Sequence, residues 1–167
     1  MSKKQIVTLA LDTSNTNTGY SIWINGKYNC CGNIVTEEDL ELWQKTDSMI
    51  VNICYMFKIH PDIVVCEQLD CDNNHKVNSA HSEVIGAVKT LSLQGNSTYY
   101  DYRPTDWRKS VDDGIEKIPR KRKELKVWDL NRAHRYLQKI NKDEDIDDNA
   151  ADAILIGLAY MNQFLEG

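Results

Sequence analysis

The stretch Gln5-Ile6-Val7-Thr8-Leu9-Ala10-Leu11-Asp12-Thr13 decides how this chain folds. Its apolar residues run almost without a break, the mark of a buried strand. The run ends in Asp12, and the loop from Thr13 to Asn17 contains no counter-charge. A carboxylate at the end of a central strand is costly to bury alone, so it needs a metal, a partner or an opening to water. An aspartate that merely caps a loop is an equally ordinary reading of this one residue.

Working outward, Thr18 to Ile24 reads as a second strand and Lys27 to Val35 as a third. Asn25-Gly26 joins them, because both residues tolerate positive φ in a tight hairpin. The first three strands therefore form an antiparallel meander. Glu37-Glu38-Asp39 is expected to open a helix, with acids favoured in its first turn. Leu40, Trp43, Met49, Ile50, Ile53 and Phe57 mark its apolar face, and His60-Pro61 ends it. Ile63-Val64-Val65-Cys66 is a short buried strand. A helix from Val77 to Leu93 carries Ala80, Val84, Ala87, Val88 and Leu91 on one face, and Thr98 to Tyr102 is a fifth strand. Pro104-Thr105 starts a short helix that Asp112-Asp113-Gly114 breaks. Pro119 is expected in the first turn of a long helix reaching Ile140. An acidic loop, Asn141 to Asp147, leads to a last helix from Asp148 with Ala151, Leu155 and Leu158 on its face. The order predicts a single α/β domain over residues 1–167: one five-stranded mixed sheet with helices on both faces.

Glu67 repeats the situation of Asp12 at the end of the fourth strand. Adjacent strands lie ~4.8 Å apart, so the two acids can face each other. Like charges at that range repel, and a divalent cation is the usual remedy. A third acidic group is Asp147-Asp148-Asn149-Ala150-Ala151-Asp152. Capping of a helix N-terminus accounts for Asp147 and Asp148. It accounts less well for Asp152, a turn inside an apolar helix. Asp148 and Asp152, four residues apart, share a helix face. Hard oxygen ligands of this kind suit Mg²⁺, with Mn²⁺ as a substitute. Two such ions ~4 Å apart serve phosphodiester hydrolysis.

The net charge of −5 is unfavourable for binding a polyanion, but its distribution is not. Residues 103–139 hold 12 basic and 6 acidic side chains, and the remainder holds 8 basic and 19 acidic. The densest cluster is Arg120-Lys121-Arg122-Lys123, flanked by Lys117 and Lys126 and extended by Arg108 and Lys109. Clustered charge of this kind meets phosphates without reading sequence. For Arg132, Arg135 and Lys139 a solvated helix surface is the expectation. Five cysteines, an odd number with Cys30 and Cys31 adjacent, argue against a disulfide framework. A zinc site from Cys66, Cys71, His75 and His81 lacks any compact ligand pair, and buried thiols are expected instead. No phosphate loop is present. No apolar run suits a membrane span and no signal peptide opens the chain, so a cytoplasmic protein is expected, in the host cytoplasm if it is viral.

Three motifs together carry a resemblance. Leu9-Ala10-Leu11-Asp12-Thr13-Ser14 followed by Thr18-Gly19-Tyr20 resembles the first motif of RuvC Holliday junction resolvases. Val64-Val65-Cys66-Glu67-Gln68 resembles their second, and Asn149-Ala150-Ala151-Asp152-Ala153 their last. The resemblance spans nearly the whole chain. It implies a ribonuclease H-like fold, magnesium-dependent endonuclease activity with two ions per site, a homodimer, and paired nicks across a four-way junction. It carries catalytic and metal-binding roles onto Asp12, Glu67 and Asp152. The fourth acid departs from the pattern. The family position three residues before Asp152 holds Asn149, and Asp148 lies one residue earlier, so Asp148 is favoured for its charge with Asn149 as the substitute. Asp70 stands where some members carry an aromatic wedge. The helix from Val77 to Leu93 would be the dimer element, although its apolar face could equally pack on the sheet. Other functions consistent with the residues are a ribonuclease H-like enzyme on RNA–DNA hybrids or flaps, and a branched-DNA-binding protein with little or no catalysis. A sugar- or acetate-kinase-like ATPase also opens with an Asp and a Thr-Gly, but this chain is too short for its two lobes.

Overall fold

The computed structural model describes residues 4–69 and 75–164. The strands are β1 (Val7–Asp12), β2 (Asn17–Ile24), β3 (Lys27–Val35), β4 (Ile63–Glu67) and β5 (Thr98–Tyr102). They form one sheet in the order β3-β2-β1-β4-β5. The β1–β2 and β2–β3 pairs are antiparallel, whereas β1–β4 and β4–β5 are parallel. The turn between β2 and β3 has positive φ at Asn25 and Gly26, as the sequence predicts. The helices are α1 (Leu42–Met56), α2 (His75–Gln94), α3 (Pro104–Ser110), α4 (Arg122–Lys139) and α5 (Asp148–Phe164). This is the expected five-stranded mixed sheet with helices on both faces.

Strand alternation sorts the sheet into two cores. Leu9, Leu11, Val64 and Cys66 point to one face and pack with Met49 and Ile53 of α1 and Val84 and Val88 of α2. Ala10, Val65 and Trp23 point to the other and pack with α3, α4 and α5. Residues two apart on a strand share a face, so Asp12 and Glu67 lie on the α5 side with Ala10 and Val65. Nearly every residue of α5 from Ala150 to Met161 is buried. Small side chains let it lie close to β2. A Cβ on Gly19 would stand 2.0 Å from the Asn149 carbonyl oxygen, and one on Gly157 would stand 2.2 Å from Trp23 Nε1. Ser21 Oγ donates a 2.8 Å hydrogen bond to the Ala153 carbonyl, fixing the helix against the strand.

Several expectations are corrected. Glu37-Glu38-Asp39 does not open α1, which begins at Leu42 after the N-cap Glu41. The Thr36 N–H is bonded to the Thr16 carbonyl, keeping the chain on the sheet edge, and Gln44 Oε1 caps the Glu41 N–H at 3.0 Å. Trp43 is 65% exposed, because the buried face of α1 runs through Thr46, Met49 and Ile53. Pro119 precedes α4, whose N-cap is Lys121. The lead-in is held from the side, where Trp128 Nε1 donates to the Glu116 carbonyl at 3.1 Å. Arg132 and Arg135 are not a solvated surface. Arg132 donates to the Val111 carbonyl, and both arginines pair with Asp113. Val84 and Val88 face the sheet and cannot form a dimer surface. Cys30, Cys31, Cys54 and Cys66 are free thiols. Cys66 is buried on the face opposite Glu67, and burial pushes its thiol up to about 12. Cys71, Asp70 and the His75 side chain lie outside the description. Among the described residues no helix is long and apolar enough to cross a membrane.

Candidate active site

β1 and β4 are parallel and paired up to Leu11 and Cys66. One step further along that register lie Asp12 and Glu67, at the carboxyl ends of adjacent strands, where open α/β sheets form their crevices. α5 crosses this end and brings Asp152 to the same place. The three acids line one cleft of about 580 Å³. Burial, then the charge of Glu67, holds the Asp12 carboxyl well above the usual carboxylate range. Burial and then Asp12 do the same to Asp152. The Oδ1 atom of Asp152 is buried without a hydrogen-bond partner. Three acids that disfavour one another's charge, one with an orphaned oxygen, form a donor set suited to a hard cation.

Asp148 is the expected fourth donor, for its charge, with Asn149 as the substitute; the two side chains stand in different places. Asn149 lines the cleft with Asp152. The Asp148 carboxylate is ion-paired with the ammonium group of Lys126 at the cleft edge. Asp147 takes the capping role: its Oδ1 accepts the Ala150 N–H at 2.9 Å. Burial would raise the Asp147 carboxyl, but this N–H and the amides of Asn33, Asn17 and Asn149 hold it below its ordinary value. Among the described residues no three histidine, cysteine or acidic side chains stand close enough to clasp a metal ion directly. A magnesium ion that keeps several of its waters does not require such convergence.

The basic residues divide into two groups. Arg108, Arg120, Arg122 and Lys126 line the cleft. Lys109, Lys117, Lys121 and Lys123 are exposed, and Lys121 pairs with Glu124 at 3.4 Å.

Sequence reasoning missed three supporting features. Trp107 Nε1 donates a 2.7 Å hydrogen bond to Glu67 Oε2. Thr13 Oγ1 and His81 Nε2 lie 3.0 Å apart on the α2 side of the cleft, and burial lowers the His81 imidazole below its ordinary value. Asp129 of α4 is fully buried and bonded to Arg108. Only Asp129 left a trace in the sequence: it sits in line with Ala133 and Leu137, an acid on the apolar stripe of a helix.

A five-stranded mixed sheet in this order, with helices on both faces, is the ribonuclease H-like fold. The particular likeness is to RuvC. Thermus thermophilus RuvC in complex with a Holliday junction substrate superimposes with a TM-score of 0.73 at 13% identity, covering 97% of this chain and 96% of that one. A second T. thermophilus RuvC structure gives 0.72 at 16% identity, over 97% of each chain. Ydc2, the yeast mitochondrial Holliday junction resolvase, gives 0.58 at 11% identity, covering 93% of this chain and 77% of that one. This chain therefore has the RuvC fold over almost its whole length. No family model and no curated protein sequence matches it.

Proposed function

We propose that this chain is a magnesium-dependent endonuclease that resolves four-way DNA junctions, acting as a homodimer that makes paired nicks. The observation that carries the reading is the meeting of Asp12, Glu67 and Asp152 in a cleft bordered by Arg120, Arg122 and Lys126, on the fold of RuvC resolvases. The three acids would hold Mg²⁺, or Mn²⁺ in its place, with Asn149 or Asp148 as the fourth donor. When bound, two such ions supply an activated water and stabilise the leaving oxygen in phosphodiester hydrolysis. Trp107 orients Glu67 by donating to its Oε2. The basic residues of the cleft and the exposed Lys109, Lys117, Lys121 and Lys123 would track the phosphate backbone.

A two-fold dimer places two sites on symmetry-related strands of a junction. Because Val84 and Val88 belong to the core, α2 could join such a contact only through its outer face.

The test is incubation of the protein with a synthetic four-way junction, with and without Mg²⁺, beside linear duplex, flap and RNA–DNA hybrid substrates. Paired nicks in the junction that require Mg²⁺, and that Asp12→Asn abolishes while binding survives, are expected. Cutting of the hybrid alone would reassign the activity to a ribonuclease. Junction binding without cutting would make the chain a non-catalytic binder.

A further inference from the structure

Among the described residues, Asp129 is the one charged side chain that is fully buried. A carboxylate withdrawn from water needs a partner with matched geometry. Its charged partner is Arg108, and it also shares a hydrogen bond with Asp152. Arg108 Nε lies 3.0 and 3.1 Å from the two Asp129 oxygens, and Nη2 lies 2.8 Å from Oδ2. The fork uses one edge of the guanidinium and fixes its plane. Nη1 takes no part in it. The same guanidinium stands 4.2 Å over the Trp107 ring, whose Nε1 is bonded to Glu67. Arg108 lines the cleft beside Asp12, Glu67 and Asp152, whereas Asp129 does not.

A buried ion pair is weak evidence of stabilisation, since well-packed apolar residues often do as well. Its placement here has a different consequence. An unanchored arginine beside three carboxylates would pair with them and compete with any cation they bind. Asp129 adjoins the cluster through a hydrogen bond with Asp152, and as the better-matched partner it keeps Arg108 at the cluster's margin. There the free edge of the guanidinium can meet a phosphate as negative charge grows on its oxygens.

We propose that Asp129 is a positioning residue that holds Arg108 off the acid cluster and aims it at the scissile phosphate. This rests on the nuclease reading above. The experiment measures single-turnover cutting of a four-way junction and junction Kd for wild type, Asp129→Asn, Arg108→Lys, Arg108→Ala and the Arg108→Ala/Asp129→Asn double variant. Asp129→Asn and Arg108→Lys should each lose about 10²-fold in cutting rate. Their Kd should stay within about threefold of wild type, because the lost interaction belongs to the transition state. In the Arg108→Ala background, Asp129→Asn should cost nothing further.

Near-wild-type cutting by Asp129→Asn overturns the proposal, as does a full additional loss in the double variant. If Asp129→Asn shows no cooperative melting, Arg108→Lys decides: it retains the counter-charge for Asp129 but not the fork, and undiminished cutting by it rejects the idea. A wild-type protein that cuts no branched DNA in Mg²⁺ would remove the nuclease reading and this inference together. Wild-type cutting with unaffected variants would remove this inference alone.

Discussion

The indole nitrogen of Trp107 donates a 2.7 Å hydrogen bond to Oε2 of Glu67. Trp107 is fully buried in α3, so the carboxylate is held by a rigid donor from a separate element. Partners of this kind set the orientation of metal-binding carboxylates and are worth about 10–100-fold in metal affinity. Trp107→Phe keeps an aromatic ring and removes the donor. The Mg²⁺ concentration giving half-maximal junction cutting should rise by about that factor. An unchanged magnesium midpoint in a folded variant would show that Glu67 is oriented by other means.

The proposed fourth donor can be tested by comparing two alanine variants at limiting Mg²⁺. Charge favours Asp148, but its carboxylate is engaged by Lys126, while Asn149 lines the cleft beside Asp152. Asn149→Ala is therefore expected to cost more activity than Asp148→Ala. If Asp148→Ala proves the more damaging change, the carboxylate leaves Lys126 when the ion binds, and charge outweighs the position seen here.

Phosphate contacts can be counted from the salt dependence of junction binding. Each lost contact lowers the slope of log K against log salt by about 0.9. Replacing the cleft residues Arg120 and Arg122 with alanine should reduce the slope by about 1–2. Replacing the exposed Lys121 and Lys123 should reduce it less, since Lys121 already pairs with Glu124. Equal effects from the two pairs would mean that the DNA follows the outer surface and not the cleft.

Asp113 offers a pH test of stability that is independent of the acid-lined cleft. Burial would raise its carboxyl, but Arg135, the Ile115 N–H and Arg132 prevail and hold it below its ordinary value. A depressed folded-state value means that the stabilisation is present above the unfolded value of about 3.9 and fades as pH falls through the folded one. Asp113→Asn should cost about 1 kcal/mol at neutral pH, discounted for partial exposure. Melting curves of wild type and variant should converge in acid. A constant gap across the range would show that the hydrogen bonds, and not the charge, hold the loop to α4.

The elements were legible where local pattern and tertiary role agree. The apolar run into Asp12, the Asn25-Gly26 turn and the strand Ile63-Val64-Val65-Cys66 each carry their own signal, and each is where the sequence predicted it. Two of the acids were legible for the same reason: a carboxylate that closes an apolar strand violates the local pattern visibly. Boundaries set from outside were not legible. α1 starts at Leu42 because a sheet-edge hydrogen bond holds Thr36, and α4 starts after Pro119 because Trp128 ties down the preceding loop. By itself the sequence determined the order of elements, the two-sided sheet and the candidate acids, since each follows from residue type and spacing. Only the tertiary structure decided which face Val84 and Val88 cover, that Asn149 and not Asp148 lines the cleft, and that Asp129 finds Arg108 across 21 residues of chain. Those outcomes depend on how helices are laid against the sheet, a matter of packing between distant segments that no local periodicity records.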